Sequence, residues 1–167
     1  MDPNNAKSPR VSKRWLNVTS HAGQTRTHLE VCDGGKRALQ NEIGPVNTVA
    51  IVGPARQGKS YFLNALADAS IFRVSAEIES CTRGVDLCAP LIRPEEWGNP
   101  STAPQIGLLD VEGHGSAMAY DIKLSVPLFL VSNVVVFHYE CGCSPAAAVD
   151  SILRQIRLLL GAADDVV

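Results

Sequence analysis

The feature that most restricts the fold of this chain is a glycine-rich loop between an apolar run and a helix-forming run. Gly53, Gly58, Lys59 and Ser60 fit the spacing G-x-x-x-x-G-K-[ST] and follow the β-branched run 48–52, TVAIV. In such a strand–loop–helix unit, glycines let successive backbone N–H groups converge on phosphate oxygens at the positive end of a helix. Lys59 is then expected to bridge the terminal phosphates and Ser60 to ligate Mg²⁺. The sequence therefore predicts a P-loop NTPase.

The pattern around this loop alternates strands and helices. It predicts further strands at 27–32, 84–91, 105–110 and 134–138, a turn at 33–35, and helices at 59–69 and 146–160. Strands that are apolar throughout and alternate with helices predict an α/β fold with a mostly parallel sheet and helices on both faces. At 167 residues the chain holds one domain. We expect that domain at 27–167, C-terminally incomplete, after a polar basic leader at 1–26 that we predict to be disordered.

Composition narrows the classes of partner and compartment. A net charge of −2 argues against a nucleic-acid-binding chain. The longest apolar run, 124–137, is shorter than the roughly 20 residues of a spanning helix, so membrane association is expected only through parts outside this chain. Five cysteines without a secretory signal indicate free thiols in the cytoplasm. A zinc site built from Cys81, Cys88, Cys141 and Cys143 stays open, although neither cysteine spacing is typical of zinc ligands.

Two further motifs have the spacing of nucleotide-dependent switches. In LLDVEG, Asp110 ends an apolar strand, where its carboxylate can reach the Mg²⁺ shell, and Gly113 can bring its N–H up to a γ-phosphate without a Cβ in the way. In SCTRG, between the other two motifs, Thr82 could give Mg²⁺ its hydroxyl and close over the γ-phosphate. Taken alone, Thr82 is one threonine in a loop.

The three motifs VAIVGPARQGKSYFLNAL, SCTRG and LLDVEGHG together resemble the large GTPase domain of guanylate-binding proteins and atlastins, in the dynamin-like group. The likeness covers about residues 45–160. It implies that Arg56 acts as an arginine finger in cis when two domains meet face to face, that Ser80 helps to place the attacking water, and that Glu112 belongs to the network around that water. A guanidinium offers the planar fork that phosphoryl oxygens require, so the implied role suits the residue type.

The chain departs from the family pattern at two places. His114 stands where the family usually has an apolar residue, and it could position water, as in elongation GTPases, or lie on the surface without a role. Neither an Arg-Asp pair nor Asn-Lys-x-Asp, the motifs that read guanine, occurs in the later part of the chain. The choice between guanine and adenine therefore rests on the resemblance.

These observations together predict a GTP-binding protein that hydrolyses GTP to GDP with Mg²⁺ and forms a homodimer through its nucleotide face. The alternatives are a truncated, non-catalytic module that binds nucleotide or a partner, and a small-molecule P-loop kinase. The predicted catalytic residues are Arg56, Ser80 and Glu112, and the predicted Mg²⁺ ligands are Ser60, Thr82 and Asp110. The predicted nucleotide-binding residues are Gly53, Arg56, Gln57, Gly58, Lys59, Ser60, Tyr61, Thr82, Asp110 and Gly113.

Overall fold

A computed structural model describes residues 9–20, 27–74, 84–113 and 127–138, together with residues 124 and 157. The strands are β1 Val11–Ser20, β2 Thr27–Val31, β3 Val46–Val52, β4 Val85–Ala89, β5 Gln105–Val111 and β6 Val134–Phe137. The α-helices are α1 Asp33–Gln40 and α2 Lys59–Leu66, and a short 3₁₀ helix covers Pro94–Trp97. All five predicted strands and the helix after the glycine loop are confirmed. The predicted helix 146–160 lies outside the described residues, except for residue 157, which is helical.

The six described strands form one sheet in the order β2-β1-β4-β5-β3-β6. β3 runs parallel to β5 and β6, whereas the pairings β1–β2, β1–β4 and β4–β5 are antiparallel. The α/β fold is confirmed, but the prediction of a mostly parallel sheet is wrong for this part of the chain. Between β4 and β5 the chain has one 3₁₀ turn in place of a crossover helix, and Ile92 bridges Ile106 as the chain folds back. A parallel neighbour would need a longer crossover, usually an α-helix.

β1 corrects the prediction that residues 1–26 are disordered, because residues 11–20 form an interior strand between β2 and β4. Two of the basic residues that suggested disorder form ion pairs. Arg14 pairs with Asp86 on β4, and Arg10 pairs with Glu96 in the 3₁₀ helix. Leu16 of β1 is buried, and Trp15 and Val18 are partly buried against the same apolar cluster. The adjacent apolar residues Trp15 and Leu16 interrupt the alternation of apolar and polar residues by which strands are recognised.

The helix α1 replaces the turn that Gly34 and Gly35 suggested. Gly35 lies against β1, where a Cβ would come within 2.6 Å of the Cα of Trp15. Glycine therefore serves here for close packing of a helix on a strand and not for a turn. This difference between the two uses cannot be read from the dipeptide itself.

Helices cover both faces of the sheet, as predicted. One apolar cluster contains Ala50, Val52, Leu109 and Val111 and packs against α1 residues and against Leu124 and Leu128. The other contains Ile51 and Leu108 together with residues of α2 and of the segment after it. Because successive side chains of a strand point to opposite faces, β3 and β5 supply both clusters from continuous apolar runs.

The two described cysteines, Cys32 and Cys88, are free thiols. Burial raises the pKa of Cys88 to about 11. A thiol with that pKa stays protonated and is a poor nucleophile and metal ligand. The other three members of the predicted cysteine set lie outside the described residues, so the zinc alternative stays untested.

Within the described part of the chain, no helix combines the length and the apolar character needed to cross a membrane.

Candidate nucleotide-binding site

The phosphate loop (residues 53–60) leaves β3 and enters α2, and its two glycines are required for different reasons. A Cβ on Gly53 would lie 2.0 Å from the carbonyl oxygen of His138, so no other residue fits without moving β6. Gly58 has open space around it, but its φ of 80° is left-handed, a conformation that glycine adopts without steric cost. The loop therefore combines a close approach at its start with a left-handed turn immediately before α2.

Lys59 lies across the phosphate loop. Its Nζ donates a hydrogen bond to the carbonyl oxygen of Pro54 at 2.7 Å, and the residue is only 6% exposed. Burial lowers the pKa of Lys59 from its ordinary value of 10.5, although the nearby charges of Asp110 and Glu112 act in the opposite direction. A desolvated ammonium held inside a loop of backbone donors gives a concentrated positive field for a phosphate.

Ser60 and Asp110 bring two oxygen atoms together beside the loop. The parallel pairing of Ile51 with Asp110 places this carboxylate at the end of β5, next to the point where β3 enters the loop. The Ser60 hydroxyl donates to Asp110 Oδ2 at 2.7 Å, and Asp110 is 1% exposed. A hydroxyl and a carboxylate are the hard oxygen ligands that Mg²⁺ prefers, and Mg²⁺ is usually held by few protein groups and substrate phosphates. These residues therefore fit the ion that the sequence predicts.

The described ranges contain no group of three or more His, Cys, Asp and Glu side chains that could hold a metal ion.

Gly113 lies in contact with the backbone of the phosphate loop. A Cβ on Gly113 would come within 2.2 Å of the Cα and 2.5 Å of the N of Ala55. The D-x-x-G pattern thus has a packing reason in this chain: the segment after β5 must pass the loop at backbone distance. Gly113 is half-buried, and its predicted proximity to a γ-phosphate stays a prediction.

Glu112 binds the residue that follows the SCTR segment. Its carboxylate Oε2 accepts a hydrogen bond from the Gly84 N–H at 2.7 Å, and its own N–H donates to the Gly84 carbonyl oxygen at 2.8 Å. Gly84 has a left-handed φ of 72°, and a Cβ there would lie 2.3 Å from the carbonyl oxygen of Leu16. Glu112 therefore binds the residue that ends the SCTRG motif. Ser80, Thr82 and His114 lie outside the described residues.

Arg56 and Tyr61 are exposed beside the loop, and Tyr61 is 68% exposed. Arg56 has a left-handed φ of 66°, which is rare for a residue with a Cβ and costs about 1 kcal/mol. Gln57 is half-buried, and its carbonyl oxygen points away from the loop towards β6.

The residue that sequence reasoning missed is His138, directly after β6. Its ring Nε2 lies 2.6 Å from the carbonyl oxygen of Gln57, and its backbone N–H donates to Val52 at 2.8 Å. One signal was available: residues that follow parallel strands meet at the same sheet edge as the phosphate loop. The motif patterns assign no role to such a position, so it was treated only as the end of a strand.

Strands β3 and β5 run side by side in parallel, and between them a buried lysine, a serine and a carboxylate converge on one glycine loop. Fold and site together define the class of this chain as a P-loop NTPase domain of the α/β type.

The guanylate-binding protein N-terminal domain model matches residues 27–139, and the chain belongs to this family. It is 36% identical over 100 residues to human guanylate-binding protein 5, which is 56% of this chain and 16% of that protein. Identity to mouse guanylate-binding protein 5 is 33% over 122 residues, 70% of this chain and 20% of the relative. With rat guanylate-binding protein 2 it is 36% over 91 residues, 53% of this chain and 14% of the relative. These matches therefore span no more than about a fifth of each relative.

Proposed function

We propose that this chain binds GTP in the phosphate loop and hydrolyses it to GDP in the presence of Mg²⁺, with stimulation by dimerisation through the nucleotide face. The observation that carries the proposal is the arrangement of Lys59, Ser60 and Asp110 around one loop of backbone donors. The preference for guanine rests on family membership and on the names of the relatives. The cytoplasmic location expected from the cysteine content also stays a prediction.

Binding would begin with the exchange of one contact for another. Lys59 now donates to the Pro54 carbonyl oxygen, and this contact would be replaced by oxygens of the terminal phosphates. Because Lys59 is buried, its ammonium loses little further hydration when a phosphate arrives. The same burial makes the positive charge costly without an anion, which favours the bound state.

Ser60 and Asp110 would hold Mg²⁺, and Thr82 would be the third protein ligand, as the sequence predicts. When bound, Mg²⁺ neutralises the charge that develops on the phosphate oxygens. The role of Asp110 is to keep Ser60 oriented and to place a negative charge at the end of β5. Its position in the sheet is fixed by the parallel pairing of β5 with β3, the strand that leads into the phosphate loop.

Arg56 is proposed as the group that stabilises the transition state. Its exposed position and left-handed backbone suit a side chain that acts only after a second domain presses it onto the phosphates. Ser80 would place the attacking water. Glu112, through its two hydrogen bonds to Gly84, would connect the LLDVEG motif to the SCTRG motif, which carries Ser80.

The proposal is tested by turnover of GTP and of ATP against protein concentration. We expect hydrolysis of GTP whose specific activity rises steeply with concentration, because the active form is a dimer. Binding of GTP without turnover at any concentration would instead identify a non-catalytic module. Failure to bind or turn over either nucleotide would contradict the proposal as a whole.

Replacement of Arg56 separates binding from catalysis. Arg56→Ala should leave GTP affinity nearly unchanged and lower kcat about 100-fold, the cost of losing one group that stabilises transition-state charge. Arg56→Lys is the matched variant: it keeps the charge but not the planar fork, so an intermediate kcat is expected. Equal losses of affinity and kcat in Arg56→Ala would show that Arg56 only binds.

A further inference from the structure

His138 contacts the phosphate loop at two points. Its backbone carbonyl oxygen occupies the space that a Cβ on Gly53 would need, at 2.0 Å. Its ring Nε2 lies 2.6 Å from the carbonyl oxygen of Gln57. One residue after β6 therefore touches the loop at its first glycine and again immediately before its second. None of the motifs discussed above includes this residue.

The contact with Gln57 determines which ring nitrogen carries the proton. A carbonyl oxygen can only accept, so Nε2 must donate, and the neutral ring is the Nε2–H tautomer. The ring is also held by Phe62 of α2, with ring centroids 5.8 Å apart and planes tilted by 47°. Packing from α2 and the backbone pairing of His138 with Val52 together fix the direction of the donor.

The same hydrogen bond determines the direction of a loop N–H. The peptide unit between Gln57 and Gly58 is planar and trans, so its C=O and N–H point in opposite directions. With the Gln57 carbonyl directed to His138, the Gly58 N–H is directed away from β6. That N–H lies at the start of α2, where backbone donors bind phosphate.

We propose that His138 is a positioning residue for nucleotide binding: its Nε2–H binds the Gln57 carbonyl and thereby keeps the Gly58 N–H directed towards the phosphates. The inference rests on the proposed function for its consequence, whereas the hydrogen bond itself exists without nucleotide. Loss of the donor allows the Gln57–Gly58 peptide to rotate, so GDP and GTP lose affinity together and kcat is retained.

The test compares His138→Phe with His138→Gln in the full chain. Phenylalanine keeps the packing against Phe62 and removes the donor, whereas glutamine keeps an N–H donor. One hydrogen bond of this kind corresponds to about a threefold to tenfold loss of affinity for mant-GDP and mant-GTP in His138→Phe. We expect a matching rise in KM, unchanged kcat, and at least partial recovery in His138→Gln. His28→Phe is the control, since His28 lies exposed on β2, outside the site.

Two measurements need no nucleotide. In the wild-type chain, ¹⁵N shifts of the His138 ring should show the Nε2–H tautomer, and the Nδ1–H tautomer would overturn the proposal. Amide hydrogen exchange at Gly58 should be faster in His138→Phe than in wild type.

The outcomes separate this inference from the proposed function. If wild type binds nucleotide and His138→Phe binds it equally well, the positioning role is wrong. If wild type binds no nucleotide, the proposed function fails, and equal exchange at Gly58 in the two chains would then overturn the positioning contact as well. Should His138→Phe fail to fold, the ¹⁵N tautomer in wild type decides.

Discussion

At the scale of single residues, the site depends on close backbone approaches as much as on charged groups. Gly53 lies against His138 and Gly113 against Ala55, each with no room for a Cβ. The buried charged groups Lys59 and Asp110 belong to the same two motifs. The glycines of these motifs thus let the backbone segments that carry the charged side chains approach each other closely.

Replacement of Gly113 tests this packing. In Gly113→Ala the new Cβ meets backbone atoms of Ala55, which cannot rotate away, so the free energy of unfolding should fall by about 2 kcal/mol, the typical cost of overpacking. Nucleotide affinity should fall as well, because the phosphate loop must shift. Urea unfolding and mant-GDP titration measure the two effects.

Gly107→Ala, in the preceding strand β5, is the matched control. Its Cβ would have ordinary contacts of 3.4 to 3.5 Å with Leu87, Leu91 and Thr48 side chains. We expect little change in affinity there. If Gly113→Ala bound nucleotide as tightly as Gly107→Ala, the contact with Ala55 would have no bearing on the site.

At the scale of elements, β1 is the largest departure from what the composition indicates. It lies outside the residues matched by the family model, yet it pairs with both β2 and β4. Its start is attached by the Arg10–Glu96 ion pair, whose side chains are 5% and 6% exposed. Glu96 also accepts from the Arg93 N–H at 3.0 Å, so one carboxylate connects β1 to the 3₁₀ helix.

This ion pair predicts an acid-dependent stability. Burial raises the pKa of Glu96, but the hydrogen bonds from Arg10 and Arg93 outweigh it, and the net pKa lies below the ordinary 4.5. A carboxyl with a lowered folded-state pKa stabilises the fold above its unfolded value and loses that contribution as the pH falls through its folded value. Glu96→Gln leaves Arg10 buried without a counter-charge, so we expect a loss of about 3 kcal/mol near neutral pH.

Urea unfolding of Glu96→Gln and wild type, near neutral pH and well below pH 4.5, measures this difference. The difference in free energy of unfolding between the two chains should become smaller in acid, where wild type loses the contribution of the ionised Glu96 carboxylate. Glu95→Gln is the control, because Glu95 is exposed in the same 3₁₀ helix. A pH-independent difference between Glu96→Gln and wild type would contradict the linkage.

At the scale of the whole molecule, nucleotide binding should be visible as stability. A ligand that binds only the folded state at 100 times its Kd adds about 2.7 kcal/mol. For a domain of this size that raises Tm by about 5 to 10 °C. Thermal unfolding with and without GDP and Mg²⁺ measures the shift.

Lys59→Ala should abolish this shift, and Lys36→Ala, an exposed lysine on α1, should retain it. The readout is the nucleotide-induced change in each variant, so a change in basal stability does not disturb it. A full shift in Lys59→Ala would contradict the role of the buried lysine.

How much of the fold was predictable depends on the range of the interactions that determine each element. β3, α2, β5 and β6 were predicted within one to three residues, because local apolar runs and a glycine loop mark them. The helix α1 and the antiparallel direction of β4 were not predicted. The helix depends on a close approach of Gly35 to Trp15, and the direction of β4 depends on a chain reversal after that strand. Both are decided by residues that are distant in sequence. β1 was missed because its charges are satisfied only by partners far along the chain.

The sequence by itself determined the chemistry: a glycine loop, a lysine and a serine at one spacing, and a carboxylate at the end of a later strand. These follow from residue type and local order, which need no knowledge of the fold. The tertiary structure alone decided that Ser60 meets Asp110, that Glu112 binds Gly84, and that His138 binds the loop at Gln57, 81 positions earlier. Such contacts depend on strand order and register, which place residues distant in sequence at one sheet edge.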